Sequence, residues 1–159
     1  MANKITLLLA VLSTILPSCV QEAKEVEEQD KKPEYFLLRP ELEKSFGYSH
    51  AVKIGDYLKI SGAVSIDDNG NIVAPGDIGL QMKNCYRDLA RILKHYGYTF
   101  DDVVVENVYT TNMKEFVNVS GFRTNIYKKQ FPAGTWLEVK GLAIEGLLIE
   151  IDIEAHKSD

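Results

Sequence analysis

Two amphipathic helix patterns, set among β-rich runs, limit most strongly what this chain can fold into. The first follows Asp77, a residue type that caps helix N-termini, and Gly97 is a typical stop after it. Its apolar residues recur at spacings of three and four: Met82, Cys85, Leu89, Ile92 and Tyr96. Cys85 falls on this stripe, so we expect it to be a small core residue.

The second helix pattern begins at Asn112, with Glu115 at capping-box spacing, and ends before Pro132. Its stripe consists of Phe116, Val119, either Phe122 or Arg123, and Ile126. The predicted strands are 51–54, 58–64, 72–73, 103–109, 135–139 and 148–153. The order β-β-β-α-β-α-β-β predicts an α+β fold, with one mixed sheet and both helices on one face. The other face would then need covering by a partner chain.

Composition excludes several functional classes. The 159 residues include 18 basic and 23 acidic side chains, so nucleic acid is not expected as a partner. Two cysteines and three histidines support neither a disulfide framework nor a metal site. No cofactor motif is present, and we expect none to be bound. His50 and His156 are expected to be solvated or hydrogen-bonded surface residues.

The N-terminus has the pattern of a targeting segment. Lys4 precedes an apolar run of 12 residues, Ile5–Leu16, which is shorter than the roughly 20 residues that span a bilayer. The following Leu-Pro-Ser-Cys19 resembles a bacterial lipobox. We therefore predict a signal peptide over residues 1–18, lipidation of Cys19, and a membrane-anchored lipoprotein facing the periplasm. The alternative is an ordinary signal with an incidental cysteine and a soluble periplasmic protein.

A charged stretch separates this segment from the folded part. Residues 20–33 hold five acids and three lysines with almost nothing apolar, so they cannot bury enough surface to fold alone. We assign 19–33 to the lipidated cysteine and a linker, either flexible or a short solvated helix. The domain is assigned to residues 34–159.

Three segments carry a resemblance to a known family. They are GYSHAVKIGD at 47–56 with ISG at 60–62, DDNG at 67–70 with Gln81 and Asn84, and PA at 132–133 with IEID at 149–152. Together they resemble the Rid family, the reactive intermediate deaminases, also called the L-PSP endoribonuclease or translation-inhibitor group. The resemblance implies a chorismate-mutase-like fold and a homotrimer with a central barrel. It also implies three small-molecule clefts, each between two subunits.

The resemblance also implies roles for individual residues. Deaminating members hydrolyse an enamine or imine to a 2-oxo acid and ammonia. Tyr48 matches the residue that packs on the substrate, and Gly62 belongs to the turn that orients it. Glu150 matches the catalytic glutamate that positions the attacking water, if one residue is inserted in the preceding loop. An asparagine usual on the second helix is replaced by Ser120.

The carboxylate-binding arginine of the family is missing, because Gly134 stands directly after Pro-Ala. No sequence-adjacent residue obviously replaces it. Three lysines could supply charge but are more simply solvated surface residues: Lys128, Lys129 and Lys140. Trp136 shares a strand face with Gly134. It either reshapes the cleft toward an apolar ligand or packs at the trimer interface.

Three functions remain open from the sequence. The first is a tethered trimer that binds enamines or imines in its clefts and hydrolyses them. The second is a non-catalytic ligand-binding trimer of the same fold. The third is RNA cleavage or translation inhibition, which export and the acidic balance disfavour.

Overall fold

One mixed sheet of six strands organises the part of the chain that the structure, a computed structural model, describes: residues 32–157. The strands are β1 (Glu34–Phe36), β2 (Ala51–Ile54), β3 (Tyr57–Val64), β4 (Val103–Thr110), β5 (Ala133–Glu138) and β6 (Ile149–His156). The α-helices are α1 (Pro40–Phe46), α2 (Ile78–His95) and α3 (Met113–Val119), with 3₁₀ turns at Phe100–Asp102 and Ser120–Asn125. The strand order is β1-β2-β3-β6-β4-β5, and only β4 and β5 are parallel in this sheet. The predicted α+β class is confirmed, with a third helix added.

Helix α2 forms as its sequence pattern predicts and supplies most of the helical side of the core. The Asp77 carboxylate accepts the N–H of Leu80 at 2.9 Å, and Gly97 has a left-handed φ of 74° just beyond the helix. All but the last residue of the predicted stripe are buried, and Cys85 is confirmed as a core residue. They pack with strand β6 through Ile149, Ile151 and Ile153. Each such side chain contributes about 1.5–3 kcal/mol to stability by leaving water.

The second predicted helix is shorter than expected. The Asn112 side chain accepts the N–H of Glu115 at 3.0 Å, as predicted. Its own N–H donates to Thr110 Oγ1 rather than completing a capping box. The α-helix ends at Val119, and the chain continues as a 3₁₀ turn to Asn125. The sequence offered Phe122 or Arg123 for one position of the apolar stripe. Because the winding changes here, both side chains turn inward: Phe122 is partly buried against the core and Arg123 is buried.

The predicted strand at Ile72-Val73 is wrong. Ile72 makes only an isolated bridge with Ile66, because Asp67 accepts the N–H groups of Asn69 and Asn71 and closes a turn there. The sixth strand is instead β1, at the start of the described chain, where it pairs with β2. Two other strands shift: β5 begins and ends earlier than predicted, and β6 runs on to His156.

The two faces of the sheet differ in polarity. The buried isoleucines of β6 face helix α2, and the alternate residues form a polar network on the open face. There Asp152 accepts hydrogen bonds from Lys59 Nζ at 2.9 Å, Asn107 Nδ2 at 3.0 Å and Tyr109 OH at 3.1 Å. A polar face of this kind can meet water, so its chemistry does not demand the cover that the sequence reasoning expected. The exposed apolar side chains of the sheet include Trp136 and Leu137, which lie on the edge strand β5.

The predicted signal peptide, Cys19 and most of the linker lie outside the described residues. Within residues 32–157, no helix combines the length and apolar character needed to cross a bilayer.

Candidate active site

A cavity of about 370 Å³ lies where α1, strand β3 and the segment before β6 meet. Its walls include three of the predicted site residues, Tyr48, Gly62 and Glu150. These residues come from separate parts of the sequence. The structure therefore brings together the half of the predicted site that the resemblance assigned to substrate packing and water activation.

Gly62 is a glycine because the side chain of Glu150 occupies the space above it. The pairing of β3 with β6 shifts register between Ile60 and Ala63, so Ser61 and Gly62 form a bulge inside strand β3, not the turn that the resemblance implied, and this bulge lies beside Glu150. A Cβ on Gly62 would overlap Glu150 Oε1 and would lie 2.7 Å from its Cγ. The absence of a side chain at this one position thus leaves the space in which the carboxyl sits.

The pocket changes the proton affinity of its two ionisable side chains. Burial, and then the charge of Asp152, raises the pKa of the Glu150 carboxyl. Burial and the charge of Glu43 raise the pKa of Tyr48, so its hydroxyl stays protonated. A carboxyl whose pKa moves toward neutrality is better matched to general acid–base catalysis.

His50 is not the surface residue that the sequence reasoning expected. It is 3% exposed, and its Nδ1 lies 2.7 Å from Glu43 Oε1. Glu43 also accepts the N–H groups of Leu38 at 3.0 Å and Arg39 at 2.9 Å, which caps the start of α1. The pair fixes the segment that carries Tyr48, whose ring centroid lies 6.0 Å from that of His50. His156 is exposed, as expected.

The sequence reasoning missed Glu43, although a signal for α1 was present. Pro40 at the first helical position and acidic residues in the first turn are typical of a helix N-terminus. Nothing in the sequence showed that the helix would close one wall of a pocket.

Gly134 and Trp136 lie elsewhere in the chain's own fold. They pair in register with Glu106 and Val108 of β4, on the helix-facing side of the edge strand β5. The Trp136 ring makes an edge-on contact with Phe116 at 4.9 Å. Glu150 is on the opposite face of the sheet, so within one copy these two residues are not brought to the Glu150 pocket.

A buried ion pair lies next to Gly134. Glu106 binds the Arg123 guanidinium through Nε at 2.7 Å and through Nη2, and it accepts the hydroxyls of Tyr86 at 2.6 Å and Tyr127 at 2.7 Å. The Arg123 guanidinium also lies over the Trp136 ring, 5.3 Å from its centroid. A Cβ on Gly134 would be 4.0 Å from Arg123 Nη2.

Sequence reasoning did not find this cation. The available signal was the alternation along β4, which puts Glu106 on the same face as Val108. It indicates that the Glu106 carboxylate is buried and needs a partner. The Arg123 charge is already matched by Glu106, so it is not free to replace a substrate-binding arginine.

The three lysines considered from the sequence are exposed, and each lies outside strand β5. Lys129 pairs with Asp101 at 2.9 Å, and Lys128 donates to the carbonyl of Thr124 at 3.3 Å. Among residues 32–157, no group of three or more His, Cys, Asp or Glu side chains could hold a metal ion.

The fold and the pocket together define a small α+β protein with a cavity of small-molecule size and a single carboxyl of raised pKa in its wall. The chain belongs to the Endoribonuclease L-PSP family, whose model matches residues 39–157. The family predicted from the three sequence segments is therefore confirmed.

Relatives of known name and structure agree with this assignment. A RutC family protein from Saccharolobus solfataricus is 33% identical over 111 residues, which cover 70% of this chain and 87% of that protein. The 2-iminobutanoate/2-iminopropanoate deaminase of Mus musculus is 27% identical over 65% of this chain and 84% of the relative. The crystal structure of a YjgF/YER057c/UK114 family member from Mycobacterium tuberculosis matches with a TM-score of 0.69 and 28% identity, covering 79% of this chain and all of that one.

Proposed function

We propose that this protein forms a homotrimer whose clefts bind small enamines or imines and hydrolyse them to a 2-oxo acid and ammonia. The observation that carries the proposal is the Glu150 carboxyl, held over Gly62 in the wall of a cavity with its pKa raised by burial and by Asp152. The named activity of the mouse deaminase supports the same chemistry.

In this mechanism Glu150 accepts a proton from water as the water oxygen attacks the C=N carbon. Glu150 passes that proton to the imine nitrogen, which gives a tetrahedral carbinolamine. The carbinolamine hydroxyl then gives up its proton to the nitrogen as the C–N bond breaks, so the nitrogen leaves as ammonia and the carbonyl of the 2-oxo acid remains. Tyr48, kept protonated by its raised pKa, packs on the planar substrate and can donate a hydrogen bond. General acid–base assistance of this kind contributes about 10²–10⁴-fold in rate.

The trimer is part of the proposal because the predicted site is divided in one copy. Gly134 and Trp136 lie on an edge strand that is exposed along its whole length, and a second copy could bring that strand to the Glu150 pocket. Light scattering on residues 34–159 should give about 43 kDa, since the 159-residue chain weighs 17.9 kDa. A stable monomer would contradict the shared cleft.

A second candidate is a ligand-binding trimer without catalysis. It is favoured by Gly134, which offers no cation to a substrate carboxylate, and by the neutralised charge of Arg123. RNA as a substrate is disfavoured, because residues 34–159 carry 14 basic and 18 acidic side chains, a balance of −4.

Ammonia release separates the two candidates. Imines are generated in place by an amino-acid oxidase, and ammonia is followed with wild type, Glu150→Gln and the matched control Glu154→Gln. Glu154 is on the same strand and the same face but pairs with Lys59. Hydrolysis that is lost in Glu150→Gln and kept in Glu154→Gln supports catalysis. Equal rates in all three samples and in buffer favour the ligand-binding protein.

Membrane attachment through Cys19 is a separate part of the proposal. It is motivated by the 12-residue apolar run and the Leu-Pro-Ser-Cys sequence, with the charged residues 20–33 as a spacer. The protein would then face the periplasm. Cys19→Ala should move it from the membrane fraction or stall its processing. Identical soluble fractionation of wild type and variant would contradict the anchor.

A further inference from the structure

The cavity beside Glu150 is walled mainly by apolar side chains from three segments. Helix α1 supplies Leu42 and Phe46, strand β3 supplies Val64, and the segment before β6 supplies Ile144 and Leu147. Of the described residues that line it, only Glu150 is acidic and none is Lys, Arg or His. A ligand group inside this cavity therefore finds apolar contacts, a single carboxyl and the hydroxyls of Tyr48 and Ser61.

The lining offers few hydrogen-bonding groups to a polar side chain of a ligand. The Ser61 hydroxyl already donates to the Ser49 carbonyl at 3.0 Å. The Glu150 carboxyl and the Tyr48 hydroxyl remain, and both are used by the proposed chemistry. A charged or amide side chain buried here would lose its water without gaining equivalent partners.

Helix α1 is anchored, so its apolar wall exists before a ligand arrives. The Arg39 guanidinium binds Asp88 at 2.6 Å and the carbonyls of Ile66 and Asp67 at 3.0 Å, while Glu43 caps the helix from within. A wall fixed in this way does not have to be ordered on binding, which removes a cost of association.

We infer that the cavity selects imines that carry a branched aliphatic or aromatic side chain, with that side chain against Leu42, Val64 and Leu147 and the C=N carbon beside Glu150. This inference rests on the proposed function. A three-carbon imine would leave most of about 370 Å³ filled with water against apolar walls. Each added methylene that displaces this water favours binding by about fourfold, equivalent to about 0.8 kcal/mol.

The test compares imines generated in place from leucine and from alanine by an amino-acid oxidase, with a nucleophile that traps free imine. The measured quantity is the ratio of kcat/KM for the leucine imine to that for the alanine imine. We expect a ratio of at least about tenfold in the wild type. Ala143→Trp, at an exposed position of the cavity wall, should lower the ratio by at least tenfold. Leu80→Ala, an exposed leucine of α2 outside the cavity, is the matched control and should leave it unchanged.

The possible results distinguish this inference from the proposed function. A wild-type ratio of one or less, with hydrolysis that depends on Glu150, overturns the selectivity and leaves the catalysis standing. If no imine is hydrolysed, the catalysis fails and selectivity is measured by calorimetry with stable 2-oxo acids. Tighter binding of the leucine-derived acid than of pyruvate, lost in Ala143→Trp, supports the inference. Equal affinity, or no binding of either acid, overturns it.

Discussion

Replacing Gly62 by alanine should remove the Glu150 carboxyl from its place without unfolding the protein. The new Cβ would overlap Glu150 Oε1 and would lie 2.7 Å from its Cγ. The backbone of Gly62 is outside the left-handed region, so alanine is sterically allowed there apart from this contact. The flexible glutamate side chain, rather than the strand, has to move.

The magnitudes favour a functional defect over a structural one. Alanine in place of glycine stabilises by about 0.4–1 kcal/mol through the unfolded chain. A strained rotamer of Glu150 costs about 0.5–1.5 kcal/mol. These effects largely cancel, so we expect a change of about 1 kcal/mol or less in the free energy of unfolding, or a few degrees in Tm. Loss of a positioned general base lowers the rate by about 10²–10⁴-fold.

Three measurements check this prediction: imine hydrolysis, thermal unfolding, and the titration of the Glu150 carboxyl by carbon NMR. In Gly62→Ala the pKa of Glu150 should return toward its ordinary value as the carboxyl moves toward solvent. Gly121→Ala is the control, because no atom lies within 4 Å of a Cβ built there. The NMR titration reports on the site even if the protein only binds its ligand.

An unchanged Glu150 titration in Gly62→Ala would refute the reasoning, since it would show that the carboxyl does not need the open space above Gly62. Full hydrolytic activity in this variant would refute the assignment of Glu150 as the base. A fall in Tm much larger than in Gly121→Ala would show that the bulge itself requires glycine.

Three further predictions concern stability. Arg39→Met leaves the buried Asp88 only its longer contacts with Arg91 at 3.4 Å and Arg87 at 3.8 Å, and should lower the free energy of unfolding by about 3 kcal/mol; a urea midpoint close to wild type would contradict it. Because burial and Asp152 raise the pKa of Glu150, this carboxyl stabilises the fold fully below its unfolded pKa of 4.5, and the contribution is lost as pH rises through the folded pKa. Glu150→Gln should therefore gain stability relative to wild type as pH rises, and parallel Tm curves would count against this. Gly79→Ala within α2, where a Cβ comes no closer than 3.4 Å to its neighbours, should raise stability by about 0.5–1 kcal/mol in the same urea assay, and a lower midpoint would show strain.

Local patterns predicted the larger elements of the fold because a single physical signal dominated each of them. The stripe from Met82 to Ile92 and the cap at Asp77 define α2 without any tertiary knowledge. Strand β1 and helix α1 were missed because each is only a few residues long and is held by distant partners. Arg39, for example, binds Asp88 in the middle of α2. Ile72 was misassigned because the Asp67 turn competes with strand pairing at that point.

The candidate site was predictable only as separate residues. Family resemblance pointed to Tyr48, Gly62 and Glu150, and the bulge in β3 explains why Gly62 meets Glu150. It could not show that Glu43 and His50 would support Tyr48, since a buried acid–imidazole contact depends on the path of α1. Nor could it show Arg123 beside Gly134, because the change from α-helical to 3₁₀ winding decides which way that side chain points.

The division of the site between two sheet faces leads to a complementation test of the proposed trimer. In one chain Glu150 pairs in register with Tyr109, whereas Gly134 pairs with Glu106 on the opposite face. A ligand that meets both Glu150 and Gly134 must therefore lie between two copies.

Glu150→Gln and Gly134→Trp should each be inactive alone, the second because a bulky ring on the exposed strand blocks the cleft. In trimers refolded from an equal mixture, about a quarter of the clefts would combine an intact Glu150 from one subunit with an intact Gly134 from its neighbour. Activity should then return to about a quarter of the wild-type value. Each variant refolded with itself is the control. Mixed samples no more active than the average of the two parents would contradict a cleft shared between subunits.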